Sequence, residues 1–142
     1  MAIVLSDVGA DEFLAIILND TRTGTGFVLR LFTNSITPAD TDVVGAYTEA
    51  SGSGYAAKTL AKSGWTITTG NDPSDGVYAQ QTFTFTGPLA GSATVYGYYV
   101  TDTTGAILLW AERFPASLTP YNNGDNVKVT PKFQLSKGTP TA

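Results

Sequence analysis

The sequence contains no cysteine and no histidine. Without cysteine there is no disulfide framework and no thiol redox centre. Without histidine there is no Ser-His-Asp triad and no Cys-His pair, and lacking both residue types the chain cannot build a zinc site of the usual nitrogen and sulfur donors. Charge is also scarce. Only 14% of residues are charged, and the eight cations are scattered and never form a run. With a formal net charge of −4 and a pI near 4.5, the chain lacks the basic stripe of a nucleic-acid binder, so no nucleic-acid partner is expected. Long apolar runs are missing as well. The longest, 13–18 and 106–111, fall far short of the roughly 20 residues of a membrane-spanning helix. The opening Met1-Ala2-Ile3-Val4-Leu5-Ser6-Asp7 has neither a basic start nor a long apolar stretch, so it does not read as a signal peptide. A soluble protein made in a cytoplasm, with no membrane partner, is expected.

What remains is a chain of 142 residues, long enough to bury roughly two thirds of its unfolded surface around one core without metal or disulfide staples. Residues 1–136 read as a single domain and 137–142 as a polar tail. A short N-terminal α-helix is predicted over about 7–19. Ser6 can cap it, Asp7, Asp11 and Glu12 complement the dipole of its first turns, and Ala10, Phe13, Leu14, Ile17 and Leu18 form an apolar stripe. Gly9 opposes it by about 1 kcal/mol relative to Ala.

The rest reads as strand and turn. In 27–32, Phe27, Leu29 and Leu31 share a face and Arg30 marks the other as partly wet. Segments 65–69 and 77–86 read as a hairpin, with Phe83 and Phe85 inward and Thr82, Thr84 and Thr86 outward. Two strands, 94–101 and 107–114, flank Asp102-Thr103-Thr104-Gly105, and a last strand, 126–136, carries Pro131, which demands an edge or a bulge. About seven strands separated by turn signals predict a mainly β fold, a two-sheet antiparallel β-sandwich of jelly-roll or immunoglobulin-like type.

For chemistry, carboxylates are the first resource, since glycoside hydrolysis needs only two of them roughly 5–9.5 Å apart. Asp40/Asp42, Asp72/Asp75 and Asp102 with Glu112 are available. The first two pairs sit in Thr-, Ser- and Pro-rich stretches where Asp bonds its own backbone. A regular strand places Glu112 beside Trp110 and Phe114, where desolvation would raise its pKa. The competing reading pairs it with Lys128 or Arg30 across strands, or bulges the strand there. Asn71-Asp72-Pro73-Ser74-Asp75-Gly76 resembles part of a calcium loop, but Pro73 and Thr82 stand where ligands belong. Gly24-Thr25-Gly26 and Gly52-Ser53-Gly54 lack the following helix of a phosphate site, and Asn19-Asp20-Thr21 is a chance sequon. Tyr96 and Tyr98 fall on one face and Tyr99 on the other, with Gly97 leaving a gap for a neighbouring aromatic. Exposed phenols there would stack on sugar or a protein partner, whereas buried ones would pack the rim. Asn122-Asn123-Gly124-Asp125 reads as a tight turn. No catalytic, cofactor-binding or metal-binding residue is assigned.

Several segments together resemble a family of small tailed-bacteriophage virion structural proteins. They are Leu29-Arg30-Leu31-Phe32-Thr33-Asn34-Ser35-Ile36-Thr37-Pro38, Tyr47-Thr48-Glu49-Ala50, Gly54-Tyr55-Ala56-Ala57-Lys58-Thr59-Leu60, Tyr96-Gly97-Tyr98-Tyr99-Val100, Leu109-Trp110-Ala111-Glu112-Arg113-Phe114, and Asn122-Asn123-Gly124-Asp125 through Thr130-Pro131-Lys132. The resemblance implies a non-enzymatic capsid cement or decoration protein on the outer capsid surface, assembled in the host cytoplasm. Its partners would be the major capsid protein and further copies of itself, a homotrimer being favoured, with 1–5 and the residues after 136 as arms or as ordinary chain ends. A minor tail or head–tail accessory protein is the alternative virion role. A carbohydrate-binding module or adhesin built on the Tyr96 to Tyr99 face is the alternative outside it.

Overall fold

The structure, a computed structural model, describes residues 4–6, 9, 26–68 and 74–135. The helix expected over 7–19 lies outside the described residues apart from Gly9, as do the tail 137–142 and the turn residues 69–73. Among the described residues the chain is mainly β, Gly9 is helical, and single 3-10 turns lie at Val44–Ala46, Lys62–Gly64 and Ala90–Ser92. The strands are β1 (Val4–Leu5), β2 (Gly26–Phe32), β3 (Lys58–Ala61), β4 (Trp65–Thr68), β5 (Ser74–Tyr78), β6 (Gln81–Thr84), β7 (Val95–Thr101), β8 (Leu108–Leu118), β9 (Asn126–Val129) and β10 (Lys132–Leu135). They form a five-stranded sheet in the order β1-β8-β7-β2-β3, a three-stranded sheet β10-β5-β4 and a two-stranded ribbon β6-β9, with antiparallel pairing throughout.

The alternation in β2 places Leu29 and Leu31, both fully buried, in the main core with Tyr98, Val100 and Trp110 of the same sheet, Phe83 of β6 and Val127 and Val129 of β9. The opposite face is partly wet at Val28 and Arg30, as expected, and covered elsewhere. Phe32, Tyr99, Leu108 and Ala111 are buried there beneath Tyr47, in a second cluster. The stretch 33–50 covers them because Asn34 fastens it back on itself. The Asn34 side chain donates to the Ala46 carbonyl and accepts from Thr48 N–H, each at 2.8 Å. Arg30 keeps the partly wet position expected of it, its side chain 23% exposed, while pairing with Glu49 of that covering stretch at 2.7 Å.

Two irregularities in β8 decide where its side chains go. Val100 pairs with Trp110 but Thr101 pairs with Leu108, so Leu109 is an extra residue and, with Trp110, enters the main core. Between Val95↔Leu118 and Gly97↔Arg113 the register shifts again, around Pro115. Pro115 cannot donate to a ladder, so it fits a bulge.

Two expected strands are each divided. The arm read as 77–86 splits at Ala79-Gln80 into β5, which starts earlier at Ser74, and β6, which joins a different sheet. The last strand splits at Pro131, so that β9 pairs with β6 and β10 with β5. Pro131 supplies no N–H, but its carbonyl accepts from Tyr78 N–H at 2.9 Å, which carries the chain from one sheet to the other. The β4–β5 and β7–β8 pairings match the expected hairpins. Tyrosine hydroxyls finish the ladders where strands part. Tyr55 accepts from Leu31 N–H (3.1 Å) beyond the end of the β2–β3 register, and Tyr78 accepts from Ala61 N–H (3.2 Å).

Candidate functional site

Glu112 lies directly opposite Tyr98 in the β7–β8 register and accepts the Tyr98 hydroxyl at 2.6 Å. Phe114 packs against the same core, 6.1 Å from the Tyr98 ring. The expected apolar surroundings are present, yet the partner is a phenol rather than Lys128 or Arg30. Burial, reinforced by the hydrogen bond to Glu112 and its charge, pushes the Tyr98 hydroxyl well above the ordinary tyrosine range. Glu49 and Tyr55, close together in sequence, form a second carboxylate–phenol pair. Glu49 accepts from Arg30 through one oxygen and from Tyr55 through the other, at 2.7 and 2.9 Å.

The remaining carboxylates are taken up by turns and strand edges. Asp42 accepts from Ala39 N–H and from the Tyr47 hydroxyl. Asp102 closes the β7–β8 hairpin by accepting from the backbone of Thr104, Ala106 and Ile107 and from the Thr104 hydroxyl. Burial opposes its ionisation, but these hydrogen bonds outweigh it and hold its carboxyl below the usual range. Asp125 accepts from Tyr121 and Asn122 N–H in the expected tight turn, and is lowered by those two bonds. Asp75 stands on β5 rather than in a loop, bonded to Gln134 and Lys132 of β10, which lower it. Ser74, Asp75 and Gly76 are therefore strand residues, and the rest of the calcium-loop motif lies outside the described residues. Among the described residues no group of three potential metal ligands is assembled.

The tyrosine face is rearranged. The register shift beside Tyr96 breaks the alternation, so Tyr96 packs with Tyr99 against the second cluster while Tyr98 enters the main core. Tyr98 and Tyr99 are each only 2% exposed. Tyr96 is half-buried beneath the Arg113 guanidinium, 5.0 Å from its ring centroid. Gly97 fills the predicted role of a gap. A Cβ there would sit 2.6 Å from the Phe32 ring and 2.2 Å from the Glu112 carbonyl oxygen.

Two concave features remain, neither of them legible as a motif. Phe27, Trp65, Ile67, Gly76, Trp110 and Phe133 line an aromatic crevice of about 130 Å³ between the five-stranded and three-stranded sheets, with rings meeting mostly edge to face. Both tryptophans of the chain line it. A polar slot, also about 130 Å³, lies between 54–58 and β6 and is walled by Tyr55, Lys58, Thr82, Phe83 and Thr84 among others. The Thr alternation in β6 was the available signal for the slot. Its second wall comes from a stretch more than twenty residues earlier. No family model, curated protein or solved structure matches the chain.

Proposed function

We propose that this chain is a non-enzymatic structural protein of a tailed-bacteriophage particle, a cement or decoration protein that bridges major capsid subunits on the outer surface of the head. The sequence resemblance supplies the class. The observation that carries it on the structural side is how the carboxylates are spent. Asp42, Glu49, Asp75, Asp102, Glu112 and Asp125 each hold a turn, a covering loop or a strand neighbour in place, a use of charge for cohesion of the fold that suits a structural role. The finer architecture belongs to the same proposal. The five-stranded sheet forms one layer and the β10-β5-β4 sheet with the β6-β9 ribbon forms the other, a sandwich of jelly-roll or immunoglobulin-like type.

Adhesion is the mechanism. A specific contact needs about 1,000 Å² of buried surface. A homotrimer that grips several capsid subunits at once multiplies modest single-site affinity through effective concentration. Cryo-electron microscopy of the particle that carries the protein tests the assignment. Density between capsomers on the head surface is the expected result, and density confined to the tail or the head–tail junction would replace it with the accessory-protein reading.

A further inference from the structure

A second chain joins a sheet most directly at an edge strand, and the edges of this fold differ in charge. β3 carries Lys58, β9 Lys128 and β10 Lys132. A lysine on an edge discourages further strand pairing, and in a contact between like copies it would meet itself. β1 has only two residues, and β6 is flanked by 54–58 across the slot. The edge of β4, Trp65-Thr66-Ile67-Thr68, has neither charge nor proline.

The direction of the β4 backbone follows from its neighbour β5. Tyr78 N–H donates to the Pro131 carbonyl at 2.9 Å, so Tyr78 turns its backbone away from β4. Alternation along the strand then turns Gly76 the same way, toward β10, and Val77 and Asp75 toward β4. Val77 and Asp75 lie opposite Thr66 and Thr68, which therefore hold the ladder. Trp65 and Ile67 aim their N–H and carbonyl groups off the edge, where no hydrogen-bond partner meets them among the described residues. The side chains add a second signal. Ile67 stands opposite Gly76, so its cross-strand neighbour offers no side chain to cover it. Among the described residues Val43, Ile67 and Tyr121 are the large apolar side chains left exposed, and of these only Ile67 lies on a strand.

We infer that β4 pairs with β4 of a second copy of this chain, antiparallel about a two-fold axis at Thr66. In that register Trp65 of each copy exchanges both backbone hydrogen bonds with Ile67 of the other, four bonds that use every outward group of the two residues. Ile67 then lies beside the second copy's Trp65, a favourable pairing of β-branched and aromatic side chains. The self-match is what selects a second copy. Each edge brings the same exposed isoleucine, the same order of donors and acceptors and no charge, in a chain whose net −4 makes copies repel elsewhere. Two four-residue edges bury less than the roughly 1,000 Å² of a stable specific interface, so the contact is weak, bare in dilute solution and filled where copies are concentrated. It does not rest on the virion assignment.

The absence of cysteine from the chain makes the test direct. Thr66→Cys introduces the sole thiol, and at the two-fold axis the paired Cα atoms lie about 4.5 Å apart, within the span of a disulfide. With oxidised glutathione and about 1 mM protein, Thr66→Cys is expected to form a disulfide-linked dimer about tenfold faster than Thr84→Cys, another exposed threonine. Sedimentation equilibrium of the unmodified chain from about 10 μM to about 1 mM should show an average mass rising toward twice its dilute value. Ile67→Val keeps that rise, and Ile67→Lys, which puts a charge on the edge, removes it. Unchanged near-ultraviolet circular dichroism shows that the variants fold. A mass that stays constant over this range, association undiminished in Ile67→Lys, or Thr66→Cys that cross-links no faster than Thr84→Cys overturns the pairing.

Discussion

Gly97 is where a single methyl group would do most damage. Its missing side chain lets Phe32 and the Glu112 carbonyl approach to distances that no Cβ tolerates, and the Glu112 carbonyl is backbone in the middle of the sheet, so it cannot swing away. Gly97→Ala is expected to cost about 3 kcal/mol in urea-induced unfolding. Tyr98 is the second such position. Tyr98→Phe removes the hydroxyl that Glu112 accepts and leaves a half-buried carboxylate short of a donor, at an expected cost of about 1–3 kcal/mol by the same measurement. The buried phenols also set the alkaline limit. Tyr47, Tyr55, Tyr98 and Tyr99 are all raised above the ordinary tyrosine range, burial being the largest cause in each, with Tyr99 at about 12. A raised folded-state value means that stability is intact below about pH 10 and declines as pH climbs toward the folded values. Absorbance at 295 nm should show these four phenols ionising together with unfolding. Their ionisation in a chain that keeps its near-ultraviolet circular dichroism would contradict the burial described.

At the scale of elements, protection from hydrogen exchange should rank the strands. β2 and β7 are interior to the five-stranded sheet, whereas β4 is an edge strand with exposed Thr66 and Ile67, the latter 63% exposed. Amides of Leu29, Leu31, Tyr98 and Val100 are expected to exchange at rates set by global unfolding, and those of β4 much faster. Equal protection in β4 and β7 would contradict this arrangement. Local pattern made the turns and inward faces legible. Asp102 with Gly105, Asn122 to Asp125, and the Phe83 and Phe85 alternation all follow from residue chemistry that acts within a few positions. Pro131 was legible as a disruption but not as a change of sheet, because the choice between β5 and β6 as partner depends on where those strands lie in space. The tyrosines failed for a related reason. A period of two presumes regular pairing, and the bulge around Pro115 lies on the facing strand, so nothing in 95–100 announces it.

For the whole molecule, a mainly β chain was legible from strand and turn signals, while the grouping of the described strands into sheets, and a core on both faces of the largest, came from long-range pairing. The candidate site was legible only as a set of missing chemistries. The crevice that gathers both tryptophans has no local signature and the slot at Lys58 shows only one wall, the Thr alternation of β6, since each joins stretches far apart in sequence. On the proposed function the chain works by gripping a capsid. The most direct measurement of the proposed capsid role mixes purified protein with empty heads of the tailed phage proposed to encode it and follows co-sedimentation and resistance of the heads to heat or chelator. Saturable binding in multiples of three copies, and heads that survive harsher treatment when coated, are the expected results. Protein left in the supernatant at all concentrations, or coated heads no sturdier than bare ones, would contradict it.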